Sequence, residues 1–122
     1  MRYLVGLFSH PKRRLKKLLR DGEYKEALEF GYSIEEKYSD DPDFFFIMGS
    51  IFYILEDAKN ALYYFDKTLS IGEFDTEALL LKANVHLYLK EHKAVKECCN
   101  KILQVDPQNK SANQILDNLE QN

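Results

Sequence analysis

One stretch in the middle of the chain decides the fold. Residues 42–75 read PDFFFIMGSIFYILEDAKNALYYFDKTLSIGEFD. In the second half of this stretch, apolar residues recur at the three- and four-residue spacing of one helix face: Ala58, Ala61, Leu62, Phe65 and Leu69. Pro42 is tolerated in the first turn of a helix, and Gly72 stands where a helix is expected to stop. The stretch therefore predicts two consecutive helices.

The same pattern recurs along the chain with a period of 34 residues. Two sets of small or apolar residues show this period: Leu15, Gly49 and Ala83, and then Ala27, Ala61 and Val95. A fixed period of this length with two short helices per unit is typical of an α-helical array, in which each unit buries its apolar face against its neighbours. No segment of useful length alternates as a strand would. We expect an all-α solenoid of antiparallel helix pairs, with about seven helices.

At these positions the sequence resembles the tetratricopeptide repeat (TPR) family. The positions of the middle unit that match the family's pattern are Phe45, Met48, Gly49, Phe52, Ala61, Leu62 and Phe65. Small residues such as Gly49 and Ala61 let two helix backbones approach closely, while aromatic rings fill the gaps on either side. The resemblance covers residues 11–107 and implies a right-handed superhelix.

We expect three TPR-like units and a cap, all within one domain. The segments are an apolar and basic N-terminal segment 1–10, units 11–41, 42–75 and 76–107, and a capping helix 108–122. In the third unit, reading Ala94 instead of Val95 as the small residue would shift the register by one position. Because the chain starts at Met1 and ends in a capping helix, we expect it to be a complete protein.

The charge of the chain is unevenly distributed. The formal net charge is −3, yet the first twenty residues carry seven basic side chains and no acidic one. A basic end of this kind can bind an acidic surface, or it can simply face water. The apolar run at residues 3–8 is shorter than the ~7–15 residues of a secretory signal and has no small-residue cleavage site after it. We therefore interpret it as part of the mature protein, and we expect a cytoplasmic location.

Nothing in the sequence indicates an enzyme, a cofactor or a metal site. The chain has no Gly-rich phosphate loop and no recognisable nucleophile with an acid–base partner. Cys98 and Cys99 are adjacent, so on a helix they point about 100° apart, and they form no Cys-X-X-Cys pair. We expect Cys99 to be buried and inert, Cys98 to be exposed and oxidisable, and His86 to be a packed histidine.

The resemblance implies that the first helix of each unit lines a concave groove that receives a peptide or another protein. The groove positions carried over to this chain are Lys12, Lys16, Leu19 and Arg20, then Phe46, Ser50, Tyr53 and Ile54, and finally Leu80, Asn84, Leu87 and Tyr88. This lining runs from a cationic end through an apolar and aromatic middle, which predicts a ligand with hydrophobic anchors and an acidic flank. The carboxylate clamp of chaperone-tail-binding members is not retained, since only Lys12 fits its pattern.

These observations favour a non-enzymatic scaffold or adaptor that binds a protein or peptide. Two alternatives stay open. In the first, the basic N-terminal arm binds an anionic membrane surface or a nucleic acid. In the second, the chain self-associates through its groove or its open ends. The apolar run at residues 3–8 could also fill the groove. Phosphate-driven binding falls steeply with ionic strength, whereas binding through aromatic residues falls little.

Overall fold

The computed structural model describes residues 10–121, which form seven α-helices joined by short turns. In chain order the helices are α1 (Pro11–Arg20), α2 (Tyr24–Ile34), α3 (Pro42–Ile54), α4 (Ala58–Ile71), α5 (Thr76–Tyr88), α6 (His92–Val105) and α7 (Lys110–Gln121). A short 3₁₀ turn, Glu35–Tyr38, follows α2. No strand occurs between residues 10 and 121, and the predicted all-α helical repeat is confirmed.

Helices that follow one another in the chain pack as neighbours. The first helices of successive pairs also touch, because α1 contacts α3 and α3 contacts α5. The last helix, α7, packs on α6 and closes the array. This nearest-neighbour arrangement is that of a solenoid, in which each pair of helices is stabilised by the pairs beside it.

Short polar side chains start four of the helices. The N-cap residues Asp41, Asp57, Asp75 and Asn109 each accept a hydrogen bond from a backbone N–H in the first turn of the following helix, at 2.9 to 3.2 Å. These bonds satisfy backbone donors that have no partner inside the helix. Pro42 occupies the first position of α3, and α4 ends immediately before Gly72, as the sequence predicts.

The three turns within the helix pairs share one geometry, again 34 residues apart. Gly22, Glu56 and Lys90 have φ values of 77°, 58° and 60°. In each turn, the backbone N–H of the residue with positive φ donates to the carbonyl of the residue three positions earlier. The backbone N–H of the following residue donates to the carbonyl of the residue five positions before it. This is the Schellman motif. The repeat therefore keeps its register through the third pair, where Val95 is fully buried and Ala94 is not.

The buried side chains form two clusters. The first is formed mainly by residues of helices α1 to α4 and includes Phe44, Met48 and Phe65. The second is formed by residues of helices α5, α6 and α7. Cys99 is buried in the second cluster, as predicted, but the prediction that Cys98 is exposed is wrong, since only 5% of Cys98 is accessible. Cys98 lies three residues after Val95 and four before Ile102, so it shares their buried helix face.

The described residues offer neither a membrane-spanning helix nor a metal-binding cluster. None of the described helices is long and apolar enough to cross a membrane. Among residues 10–121, no three His, Cys, Asp or Glu side chains are grouped so that they would hold a metal ion. The apolar run at residues 3–8 and most of the predicted segment 1–10 lie outside the described residues.

Candidate functional site

A cavity of ≈ 280 Å³ opens where the ends of α3 and α5 meet the start of α4. We call it the tyrosine cavity, and its lining residues are Tyr53, Glu56, Asp57, Ala58, Ala61, Asn84, Val85 and Tyr88. Beside the two tyrosines, the lining contains the partly exposed Ala58 and the buried Ala61 and Val85. The cavity therefore combines apolar surface with a few polar groups, as ligand sites usually do.

The two tyrosines differ in how firmly they are held. Tyr53 is partly buried, with its ring centroid 6.4 Å from that of Phe65, and its hydroxyl accepts a hydrogen bond of 3.4 Å from Nδ2 of Asn84. Tyr88 ends α5 and is 72% exposed. One wall is thus fixed by the core, while the other is free to pack against a ligand.

A second cavity, of ≈ 220 Å³, lies between α5 and α7. We call it the amide cavity, and its lining residues are Leu80, Asn84, Ser111, Gln114, Ile115 and Asn118. Asn84 lines both cavities, so the two adjoin. Carboxamide side chains donate and accept hydrogen bonds, which suits them to pairing with an extended peptide backbone.

The cationic end of the predicted groove is paired within the chain. Nζ of Lys12 lies 2.8 Å from Oδ2 of Asp41 and 3.3 Å from Oδ2 of Asp43, and Nζ of Lys16 lies 3.1 Å from the same Asp43 oxygen. Neither lysine lines the tyrosine cavity or the amide cavity. Arg20, at the end of α1, is exposed and also lies outside both.

The ion pair between Lys12 and Asp41 shifts the pKa of both partners. The hydrogen bond to Asp41 raises the pKa of Lys12, against the opposing effect of burial. Burial by itself would raise the pKa of Asp41, but hydrogen bonds from Lys12 and from the backbone N–H groups of Phe44 and Asp43 together hold it below its usual value. The two shifts have one physical cause, because each charge is stabilised by the other.

The other predicted groove residues line neither cavity. Leu19 and Phe46 are partly buried against the first core cluster, and Oγ of Ser50 donates to the carbonyl of Phe46 at 2.8 Å. Ile54 and Leu87 are exposed at the ends of α3 and α5. Among the residues predicted for the groove, the structure brings four to the two cavities: Tyr53, Leu80, Asn84 and Tyr88.

Sequence reasoning missed the contributions of a turn and of the last helix. Glu56 and Asp57 belong to the turn between α3 and α4, outside the first-helix positions that the family pattern implies. On α7, Ser111, Gln114 and Asn118 follow one another at intervals of three and four residues. That spacing places all three on one helix face and is the signal that would have found them.

Comparisons with known proteins identify the fold. No protein-family model matches the chain, and no curated protein matches it. Among solved structures, the first TPR of Spaghetti (RPAP3), bound to the HSP90 peptide SRMEEVD, is 18% identical with a TM-score of 0.83, over 91% of this chain and 88% of that one.

Two further solved structures agree with this match. The NMR structure of the first TPR domain of human RPAP3 is 18% identical with a TM-score of 0.79, over 91% of this chain and 87% of that one. The MamA RS-1 ArsTM double mutant is 25% identical with a TM-score of 0.76, over 84% of this chain and 57% of that one. The chain therefore has the tetratricopeptide repeat fold that its 34-residue period predicts.

Proposed function

We propose that this protein is a non-enzymatic scaffold or adaptor that binds a protein or peptide segment on the face formed by α1, α3, α5 and α7. The observation that supports this best is the pair of adjoining cavities, which places aromatic walls beside amide groups. Aromatic residues serve as anchors at binding sites, and amides pair with an extended backbone. The RPAP3 domain of the same fold binds a peptide. A micromolar affinity, about −8 kcal/mol, is typical of such a module.

The proposed ligand has hydrophobic anchors and an acidic flank. We place one anchor in the tyrosine cavity, where Tyr53 and Tyr88 can pack against the aliphatic part of a ligand side chain. The acidic flank lies along α1, where Lys16 keeps 52% of its side chain exposed in spite of its ion pair. A ligand carboxylate there replaces Asp43 as the partner of Lys16.

The experiment that tests the proposal starts from peptides selected on the full chain from a random display library. We expect Tyr88→Ala to weaken the binding of these peptides by about tenfold or more, because aromatic anchors carry much of the binding energy. Tyr32→Ala is the matched control, since Tyr32 is also exposed but lies on α2 and lines neither cavity. Fluorescence anisotropy measures both affinities, and equal binding to wild type and Tyr88→Ala would contradict the proposed site.

Self-association is the alternative that a specific observation favours. Four exposed apolar side chains lie at the ends of α3 and α5, which contact each other: Ile54, Leu55, Leu87 and Leu89. Exposed apolar surface of this kind is often buried against another protein chain. Sedimentation equilibrium over a concentration series, in low and high salt, separates a monomer with an open groove from a dimer.

A further inference from the structure

We propose that the tyrosine cavity binds a lysine or arginine side chain of the peptide, so that the ligand carries a cation at the end opposite its acidic flank. This inference rests on the proposed function and names the side chain that one of its two cavities selects. It follows from the shape of the cavity, from the charges at its edge and from the distance to the lysines of α1.

The cavity matches a long aliphatic side chain that ends in a positive charge. The partly exposed Ala58 and the rings of Tyr53 and Tyr88 offer apolar surface to the methylene groups, which lysine and arginine readily bury while their charged ends stay near water. Aromatic rings such as those of Tyr53 and Tyr88 attract a cation that lies over their faces. An acidic side chain would lose hydration in such a place without gaining a partner.

Two carboxylates line the same cavity, and neither forms an ion pair with a cation among residues 10–121. No ion pair within residues 10–121 uses Glu56 or Asp57, and no Lys or Arg from this range lines the cavity. Asp57 accepts hydrogen bonds of 3.1 and 2.8 Å from the backbone and side chain of Asn60, and these neutral donors leave its charge in place. The carboxylates at the α1 end, by contrast, already face Lys12 and Lys16.

The length of α3 sets the spacing between the two charged ends of the ligand. Asp43 and Glu56 lie near opposite ends of this helix, thirteen residues apart, which corresponds to about 20 Å at the helical rise. An extended peptide covers that distance in about six residues. The ligand thus has an acidic residue and a basic residue about six positions apart, with apolar residues between them.

A set of labelled ten-residue peptides tests this inference on the full chain by fluorescence anisotropy. Each peptide carries two glutamates at one end and leucines in the middle, and its sixth position from the glutamates is Lys, Arg, norleucine or Glu. Both chain directions are synthesised, and the termini are acetylated and amidated. The proteins are wild type, the double variant Glu56→Gln/Asp57→Asn, and the control Glu23→Gln, whose side chain is exposed at the start of α2.

We expect the Lys and Arg peptides to bind wild type and Glu23→Gln about tenfold more tightly than the norleucine peptide, and the Glu peptide to bind most weakly. In Glu56→Gln/Asp57→Asn the preference for Lys and Arg should disappear, while its circular dichroism spectrum stays that of wild type. Equal binding of the Lys and norleucine peptides would overturn the inference and leave the proposed function standing. A preference that survives in the double variant would also overturn it, and no binding by any peptide would overturn both.

Discussion

At Gly49 the packing of α3 against α4 leaves no room for a side chain. A Cβ atom at this position would lie 2.6 Å from Cε1 and 2.7 Å from Cδ1 of the fully buried ring of Phe65. Gly31 is buried as well, but a Cβ there would meet the thioether end of Met48, which is flexible. Two helical glycines thus differ in whether their neighbour can move.

We expect Gly49→Ala to lower the free energy of unfolding by about 1–3 kcal/mol, because the clash with Phe65 outweighs the better helix propensity of alanine. Gly31→Ala is the matched control, and its effect should be close to zero because Met48 can change rotamer. Urea unfolding followed by circular dichroism measures both. Equal destabilisation by the two substitutions would show that the Phe65 ring is not the decisive contact.

Lys90 adopts a backbone conformation that suits glycine better. Its φ of 60° is unfavourable for a residue with a Cβ atom, and the equivalent position of the first helix pair is Gly22. We expect Lys90→Gly to raise the free energy of unfolding by about 0.5–1 kcal/mol. The control Lys96→Gly, an exposed position inside α6, should lower it by about 1 kcal/mol. A loss of stability in Lys90→Gly would contradict the assigned turn.

At the scale of helices, Asp41 holds α1 against α3. Its carboxylate caps α3 through the N–H groups of Asp43 and Phe44 and also pairs with Lys12 at 2.8 Å. One side chain therefore both starts a helix and fixes the position of its neighbour. This double role makes the contact between the two helices sensitive to pH.

The pKa shifts give the sign of that sensitivity. The folded state lowers the pKa of Asp41 below 3.8, so its contribution is complete above that value and is lost as the pH falls through the lowered pKa. The folded state raises the pKa of Lys12 above 10.5, so its contribution is complete below that value and is lost as the pH rises through the raised pKa.

We therefore expect Asp41→Asn, which keeps a capping oxygen but removes the charge, to cost less than about 1 kcal/mol at pH 7, since the pair is partly exposed. The acid-induced fall in stability between pH 5 and pH 2 should be shallower in this variant than in wild type. Urea unfolding at a series of pH values measures it. Parallel pH profiles for the two proteins would show that Asp41 does not carry this dependence.

The helices could be predicted from local signals, whereas their mutual contacts could not. Asp41-Pro42 and Gly72 mark helix ends in the sequence because capping and proline geometry act over a few residues. The pairing of Lys12 with Asp41 joins residues from different helices, and a single sequence contains no signal for it. The sequence therefore indicates a cationic end of the predicted groove, and only the structure shows that Lys12 and Lys16 are already paired.

In the molecule as a whole, the second core cluster encloses both thiols. Burial raises the pKa of Cys98, and burial together with the neighbouring Cys98 raises the pKa of Cys99 to about 11. Little thiolate is present at neutral pH, and a reagent reaches it only when the array opens. The burial of Cys99 is predicted from the sequence, whereas the burial of Cys98 follows from the face of α6 on which it lies.

We expect labelling of both thiols by a disulfide reagent at pH 7.5 to be slower than labelling of the urea-unfolded chain by several orders of magnitude. Expressed as a free energy, the protection of the thiols from labelling should decrease in Gly49→Ala by the amount by which that substitution lowers the free energy of global unfolding. Absorbance of the released thiolate follows the reaction. Rapid labelling of one thiol in the folded protein would show that the buried face of α6 is accessible.

If the proposed ligand binds along α1, the ion pairs of Lys12 and Lys16 make its binding an exchange of one carboxylate partner for another. A ligand carboxylate that arrives there displaces Asp41 or Asp43, so a cation–carboxylate contact is broken for each one formed. Added salt weakens the old contact and the new one to a similar degree, and the exchange is therefore nearly indifferent to ionic strength. At the tyrosine cavity a ligand cation gains a contact without losing one inside the protein. The salt dependence of the peptide's affinity would then originate only at the tyrosine cavity, although charged groups lie at both ends of the groove.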